Sequence, residues 1–204
     1  MSDDLRLLQA ARLKGRPSES DLIAAAGLAA ADGPAAVQAL VESGALDRVG
    51  ARVKLTQAGR SGLDALLAAE RATVEHELLR QHYADFDAIN ADFKQLVTDW
   101  QLIDGGRPND HTDPEYDGRV IARLADLHER FVPLLAVFTR LVPRLAVYPD
   151  RFAAALAKIH AGDTAWIARP LVDSYHTIWF ELHEELIGLA GLSRLREAAA
   201  GRAE

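Results

Sequence analysis

The strongest constraint on the fold is the uneven distribution of ring side chains along the chain. Residues 1–70 contain no Phe, Trp, Tyr or His, whereas residues 71–204 contain all three Trp, all four Tyr, all six Phe and all seven His. A core of Ala, Leu and Val suits a small, tightly packed helical unit, and large rings fill a wider interior. We therefore predict two domains, one over residues 1–70 and one over residues 71–204.

Composition excludes several classes of protein. The chain is 49% hydrophobic and 26% charged, and it has no stretch near the roughly 18 consecutive apolar residues of a membrane helix. The absence of cysteine excludes a disulfide scaffold, a thiol nucleophile and a cysteine-ligated metal site. The first residues lack the basic and then apolar pattern of a secretory signal. We expect a cytoplasmic protein that does not bind membranes.

The apolar spacing of the first domain predicts three short helices. The first helix ends at Gly15, and either Ser18 or Ser20 can cap the second. Pro34 suits the first turn of the third helix, and Gly44 can end it.

After the third helix, the spacing of apolar residues changes from a helical pattern to a two-residue repeat. Polar and apolar residues alternate over residues 45–55 around Gly50, which predicts a two-stranded hairpin. Thr56 is a good N-cap for a fourth helix that starts at Gln57.

This order of elements resembles the winged helix-turn-helix family. The phrase Leu55-Thr56-Gln57-Ala58-Gly59-Arg60 is similar to the strand-to-helix junction of MarR-type and PadR-type regulators. The resemblance implies DNA binding, with residues 34–43 in the major groove and the hairpin tip, residues 49–52, near the backbone or the minor groove.

The candidate DNA contacts lie on the third helix and on the hairpin. Gln38 could make a bidentate contact to adenine, and Arg48, Arg52 and Lys54 could contact phosphates. However, residues 1–70 hold eight basic and nine acidic residues, so this domain is not a basic module. The alternative is a winged helix that binds another protein.

The second domain is predicted to be a bundle of about five or six helices. An apolar stripe from Leu63 to Trp100 indicates one long helix or two consecutive ones, followed by a turn-rich loop over residues 104–114. A further helix begins near Glu115, and Pro133 is expected to kink or end it. The last long helix is expected to start at Pro170.

The last helix carries a polar stripe among aromatic rings. Asp173, His176, Phe180, His183 and Ile187 follow steps of three and four residues, which a ligand pocket in a bundle could use. Imidazole and carboxylate groups could also bind a divalent metal, or they could simply hydrogen-bond internally. The candidate ligand-binding residues are Asn90, Asp99, Trp100, Asp110, His111, His128, Asp173, Tyr175, His176, Trp179 and His183.

Short segments of the second domain resemble two further families. Residues 159–166 are similar to the helix-Gly-Asp-helix step of GntR-type ligand-binding domains, some of which bind metal through Asp and His. Residues 99–101, 109–114 and 173–176 resemble a helical segment that accompanies pyruvate phosphate dikinase-like proteins. The GntR-type resemblance implies that the second domain senses a ligand.

These observations favour a homodimeric winged-helix transcription regulator that binds DNA and a small-molecule effector. The alternative is an enzyme or enzyme accessory in which the winged helix contacts protein and His128, His176, His183, Asp99 and Asp173 carry acid-base or metal chemistry. Because the chain has no glycine-rich phosphate loop and no Gly-x-Ser-x-Gly motif, no reaction type can be chosen. A third alternative is a purely structural dimeric scaffold.

Overall fold

A computed structural model describes residues 2–103 and 106–192, and this part of the chain is mainly helical with a small antiparallel hairpin. The chain divides into an N-terminal unit, Met1–Val74, and a C-terminal unit, Glu75–Glu204. The α-helices are α1 (Asp3–Lys14), α2 (Glu19–Ala25), α3 (Gly33–Glu42), α4 (Gln57–Arg71), α5 (His76–Gln101), α6 (Pro114–Leu141), α7 (Tyr148–His160) and α8 (Tyr175–Leu189). The strands are β1 (Leu46–Val49), β2 (Arg52–Leu55), β3 (Leu102–Ile103) and β4 (Arg107–Pro108), and Pro143–Val147 and Thr164–Trp166 are 3-10 helices.

In the N-terminal unit, the residues that were predicted to cap, start or end the helices have these roles in the structure. The Ser18 side chain accepts a hydrogen bond from the Asp21 amide at 3.1 Å and caps α2. Gly15, with φ of 73°, ends α1, and Pro34 lies in the first turn of α3. These helices are short, so their stability comes mostly from the faces that they bury.

The predicted hairpin is confirmed, and its register separates two faces. Strands β1 and β2 pair antiparallel, and residues directly opposite each other share a face of the sheet. One face carries Leu46, Arg48, Val53 and Leu55, and the other carries Asp47, Val49, Arg52 and Lys54. The Val53 amide also donates to the Pro17 carbonyl at 3.0 Å, which joins the hairpin to the α1–α2 connection.

The core of the N-terminal unit is aliphatic, and α4 is anchored to the hairpin at one close approach. Thr56 caps α4: its Oγ1 accepts from the Gly59 amide at 3.0 Å and donates to the Gly44 carbonyl at 2.7 Å. A Cβ atom on Gly59 would lie 2.1 Å from the Ala45 carbonyl oxygen. Glycine therefore allows α4 to approach the backbone at the start of β1. The buried aliphatic residues are Leu5, Leu7, Leu8, Ala10, Ala11, Leu22, Ile23, Ala25, Ala26, Val37, Leu40, Leu46, Val53, Leu55 and Leu63.

The described part of the C-terminal unit contains four α-helices and two 3-10 helices. The apolar stripe from Leu63 to Trp100 belongs to two helices, since α4 ends at Arg71 and α5 starts at His76. Of the predicted turn-rich loop, Asp104 and Gly105 lie outside the described residues, and β3 and β4 pair on either side of them. None of the helices in the described ranges combines the length and apolarity needed to cross a bilayer.

Of the two expectations for Pro133, a kink or an end of the helix, the second is wrong. Helix α6 continues through Pro133 to Leu141. Proline removes one backbone donor and crowds the preceding turn. Three residues beyond it, Leu134, Leu135 and Phe138, are buried, and burial of this apolar face offsets the local cost.

The expectation that the last helix starts at Pro170 is also wrong, because α8 starts at Tyr175. Leu171 adopts a left-handed conformation with φ of 64°, which is incompatible with a right-handed helix. Ser174 then provides an N-cap by accepting from the Thr177 amide at 3.3 Å. Asp173 consequently precedes the helix on which it was expected.

Candidate functional site

The exposed side of α3 is connected to the hairpin by a chain of polar contacts. Arg48 Nη2 donates to Gln38 Oε1 at 3.2 Å, and Arg48 Nη1 lies 2.6 Å from Glu19 Oε2. Gln38 Nε2 donates in turn to Glu42 Oε1 at 2.9 Å. Two of the predicted DNA contacts, Gln38 and Arg48, therefore touch each other, and an acidic residue flanks each of them.

The other two predicted DNA contacts lie on the opposite face of the hairpin. Arg52 Nη1 donates to the Arg16 carbonyl at 2.8 Å. Lys54 Nζ lies 3.2 Å from Asp47 Oδ2, its direct cross-strand neighbour. The four candidates thus form two pairs rather than one continuous patch.

The cations of this surface remain accessible. Arg48 keeps 44% of its side chain exposed and Lys54 keeps 40%. Exposed ion pairs typically contribute about 0–1 kcal/mol, so either cation can exchange its carboxylate for another anion at low cost. Both cations can therefore contact an anion outside the protein.

In the C-terminal unit, Trp179 lies at the centre of an aromatic cluster. Its ring is 4.4 Å from the Phe93 ring and 4.7 Å from the Phe131 ring, measured between centroids. Its Nε1 donates to Asn90 Oδ1 at 2.9 Å, and both residues are buried. This contact brings together two predicted ligand residues, but each satisfies the other.

Three histidines surround the same cluster. His183 Nε2 lies 3.2 Å from the Tyr83 hydroxyl, and His128 Nδ1 lies 3.0 Å from the Tyr175 hydroxyl. The His176 ring is 6.0 Å from the Phe93 ring. The structure thus gathers the predicted residues Asn90, His128, Tyr175, His176, Trp179 and His183.

The predicted polar stripe does not form one face of a pocket. Phe180 is 42% exposed, whereas His183 and Ile187 are buried, and Asp173 is not on α8. The reason is that α8 is buried on most of its circumference, so a single periodic stripe does not identify its inner face.

Burial shifts the acid-base behaviour of one hydrogen-bonded pair. Desolvation lowers the pKa of His128 and raises the pKa of Tyr175, because it disfavours the charged form of each group. The pair is therefore uncharged at neutral pH.

The lowered pKa of His128 predicts a loss of stability in acid. An unfolded histidine titrates near pH 6.5, so the unfolded chain binds this proton more readily and stability is lost as pH falls below that value. His128→Gln should reduce the slope of unfolding free energy against pH below pH 6.5, by less than the roughly 1.4 kcal/mol per pH unit of one full proton, because His128 is only half-buried. Urea unfolding followed by Trp fluorescence reports this unit alone, because all three Trp lie in it. Exposed His76→Gln is the control, and identical slopes for the wild type and His128→Gln would refute the assignment.

A second group of predicted residues lies around the end of α5. Asp99 Oδ2 is 2.7 Å from Arg123 Nη1, and the Trp100 ring is 4.3 Å from the His111 ring. His111 Nδ1 is 3.0 Å from Asp117 Oδ2.

The Asp110 side chain is hydrogen-bonded to a neighbouring residue of the same turn. Its Oδ1 accepts from the Thr112 hydroxyl at 2.7 Å and from the Thr112 amide at 3.2 Å. These hydrogen bonds lower the pKa of Asp110. The side chain therefore has a turn-forming role.

Sequence reasoning missed a buried ionic cluster around α8. Arg144 Nη1 lies 2.6 Å from Glu185 Oε1. Arg151 binds Asp173 through Nε at 2.9 Å and Nη2 at 3.1 Å, and its Nη2 also lies 2.6 Å from Glu181 Oε2. Burial alone would lower the pKa of Arg151, but the two carboxylates outweigh it and raise that pKa. The spacing of Glu181 and Glu185, four residues apart on the last helix, was the available signal.

Among the described residues, no group of three or more His, Asp or Glu side chains is placed to hold a metal ion. A metal site with three or more such ligands, one of the alternatives that the sequence leaves open, is therefore absent from this part of the chain. No protein-family model, curated protein or solved structure matches the chain.

Proposed function

We propose that the protein is a transcription regulator and that its N-terminal unit is a winged helix that binds double-stranded DNA. The observation that carries the proposal is the contact between Arg48 and Gln38, which links the exposed side of α3 to the hairpin. The order of three helices, a hairpin and a fourth helix supports the same interpretation.

The two elements have complementary roles in this proposal. Helix α3 has 10 residues and is about 15 Å long, so it can lie in the major groove. Gln38 presents both a donor and an acceptor, as adenine recognition requires. Arg48, Arg52 and Lys54 contact phosphates and fix the orientation of the helix.

Effector binding is assigned to the C-terminal unit. Of the predicted ligand residues there, His111 keeps 41% of its side chain exposed while Asp117 orients its Nδ1. Its Nε2 has no hydrogen-bond partner among the described residues and is free to receive one from a small molecule. Asn90 and Trp179 are instead buried against each other. A homodimer would present two copies of α3 to a two-fold symmetric operator.

Salt titration tests DNA binding. Fluorescence anisotropy with a labelled mixed-sequence duplex should show tight binding at low salt, and the logarithm of the binding constant should fall by about 0.9 per phosphate contact for each unit of log salt. Three phosphate contacts per winged helix set the largest magnitude of this slope at about 3. No binding at the lowest salt concentration would overturn the proposal.

Arg52→Ala tests the role of the hairpin face that carries Arg52 and Lys54. Loss of one phosphate contact should weaken binding and reduce the magnitude of the salt slope by about 0.9. Arg80→Ala is the matched control, since Arg80 is an exposed arginine of the C-terminal unit. Equal slopes for the two variants would show that Arg52 does not contact DNA.

A further inference from the structure

We propose that Glu19 and Asp47 occupy the positions of DNA phosphates in the free protein and thereby set its affinity for DNA. This inference rests on the proposed function. Each carboxylate binds a cation that was assigned to the DNA backbone: Glu19 binds Arg48 at 2.6 Å and Asp47 binds Lys54 at 3.2 Å.

The geometry of both pairs is built into the fold. Glu19 is the first residue of α2 and meets Arg48 on β1, which is 29 residues away in sequence. Asp47 and Lys54 are directly opposite each other in the hairpin register. The two pairs lie on opposite faces of the hairpin, so each face has one cation that is paired with a carboxylate.

The side-chain amide of Gln38 is also hydrogen-bonded to other protein groups, at both its oxygen and its nitrogen. Its acceptor oxygen receives a hydrogen bond from Arg48, and its donor nitrogen binds Glu42. Bidentate contact with adenine requires both groups. Movement of Arg48 from Glu19 to a phosphate would therefore also release the Gln38 oxygen for a base.

When a phosphate replaces Glu19 as the partner of Arg48, the protein gains less electrostatic free energy from DNA binding than an unpaired arginine would give. When Arg48 contacts a phosphate, DNA releases a condensed cation. The carboxylate of Glu19 is then left beside the polyanion, where it repels phosphate or takes up a cation. The net number of ions released is consequently smaller than the number of phosphate contacts. Weak backbone binding favours sites that also provide base contacts, which increases specificity.

Glu19→Gln tests the exchange with the same labelled duplex and salt titration. The variant should bind about threefold more tightly at low salt. Its salt slope should be steeper by about 0.9, because no carboxylate is left to take up a cation. Glu77→Gln is the matched control, since it removes the same charge from an exposed pair in which Glu77 lies 2.6 Å from Arg80. Asp47→Asn is a second variant, and far-UV circular dichroism checks that each variant is folded.

A double-mutant comparison separates exchange from a general charge effect. In an Arg48→Met background, Glu19→Gln should no longer tighten binding. A gain that persists there, or a gain equal to that of Glu77→Gln, would overturn the inference while leaving DNA binding intact. Absence of binding by both the wild type and Glu19→Gln at the lowest salt would instead overturn the proposed function, and the inference with it.

Discussion

Gly59→Ala is expected to destabilise the N-terminal unit by about 3 kcal/mol or more. The added Cβ would lie 2.1 Å from the Ala45 carbonyl oxygen and 2.9 Å from Leu55 Cδ1. The first of these is a backbone atom and cannot rotate away. Helix α4 must therefore shift and weaken the cap that Thr56 makes.

Gly62→Ala on the same helix is the matched control. A Cβ at Gly62 meets nothing within 4 Å, so this change should be neutral or should stabilise α4 by up to about 1 kcal/mol. Because the N-terminal unit contains no Trp, amide hydrogen exchange of α1 and α4 measures its stability, and Trp fluorescence monitors the C-terminal unit as an internal reference. Equal exchange rates in the two variants would contradict the close approach.

Arg144→Met is expected to cost the C-terminal unit about 3–5 kcal/mol. Arg144 and Glu185 each keep only 4% of the side chain exposed. Removal of the guanidinium takes away the cation that lies 2.6 Å from the buried Glu185 carboxylate, so the cost of burying that charge is no longer offset by this ion pair. Arg130→Met should cost less than about 1 kcal/mol, since its pair with Asp92 is exposed.

The double variant Arg144→Met/Glu185→Met distinguishes the loss of the ion-pair attraction from the cost of a buried Glu185 charge that has lost Arg144. Replacement of both partners by apolar side chains should recover much of the stability lost in Arg144→Met. Urea unfolding followed by Trp fluorescence gives the comparison. A double variant less stable than Arg144→Met would show that the charge left on Glu185 does not account for the loss of stability.

Local chemistry explains what the sequence could predict about the fold. Ser18 and Thr56 cap helices through contacts with residues three positions away, and Gly50 lies in the hairpin turn with φ of 62°. Such signals depend on near neighbours only. The continuation of α6 through Pro133 depends instead on the burial of residues farther along the helix, which its own sequence does not reveal.

The candidate sites also combine residues that the local sequence indicates with contacts that only tertiary packing determines. The functional groups of Gln38 and Arg48 indicate DNA contacts, but the contact between these two residues depends on how α3 packs against β1. Periodicity predicted a polar stripe on the last helix and missed Glu181 and Glu185, because it assumes one buried face and α8 has more than one. Their arginine partners lie 30 and 41 residues earlier in the chain, so spacing alone could not pair them.

The central claim is that α3 and the β1–β2 hairpin of the N-terminal unit form the DNA-binding surface. Amide chemical shifts of the full-length protein, recorded during titration with a mixed-sequence duplex at low salt, test it most directly. The account predicts that the largest changes occur in residues 33–42 and 46–55. Changes confined to residues 75–192, or an unchanged spectrum at saturating duplex, would contradict it.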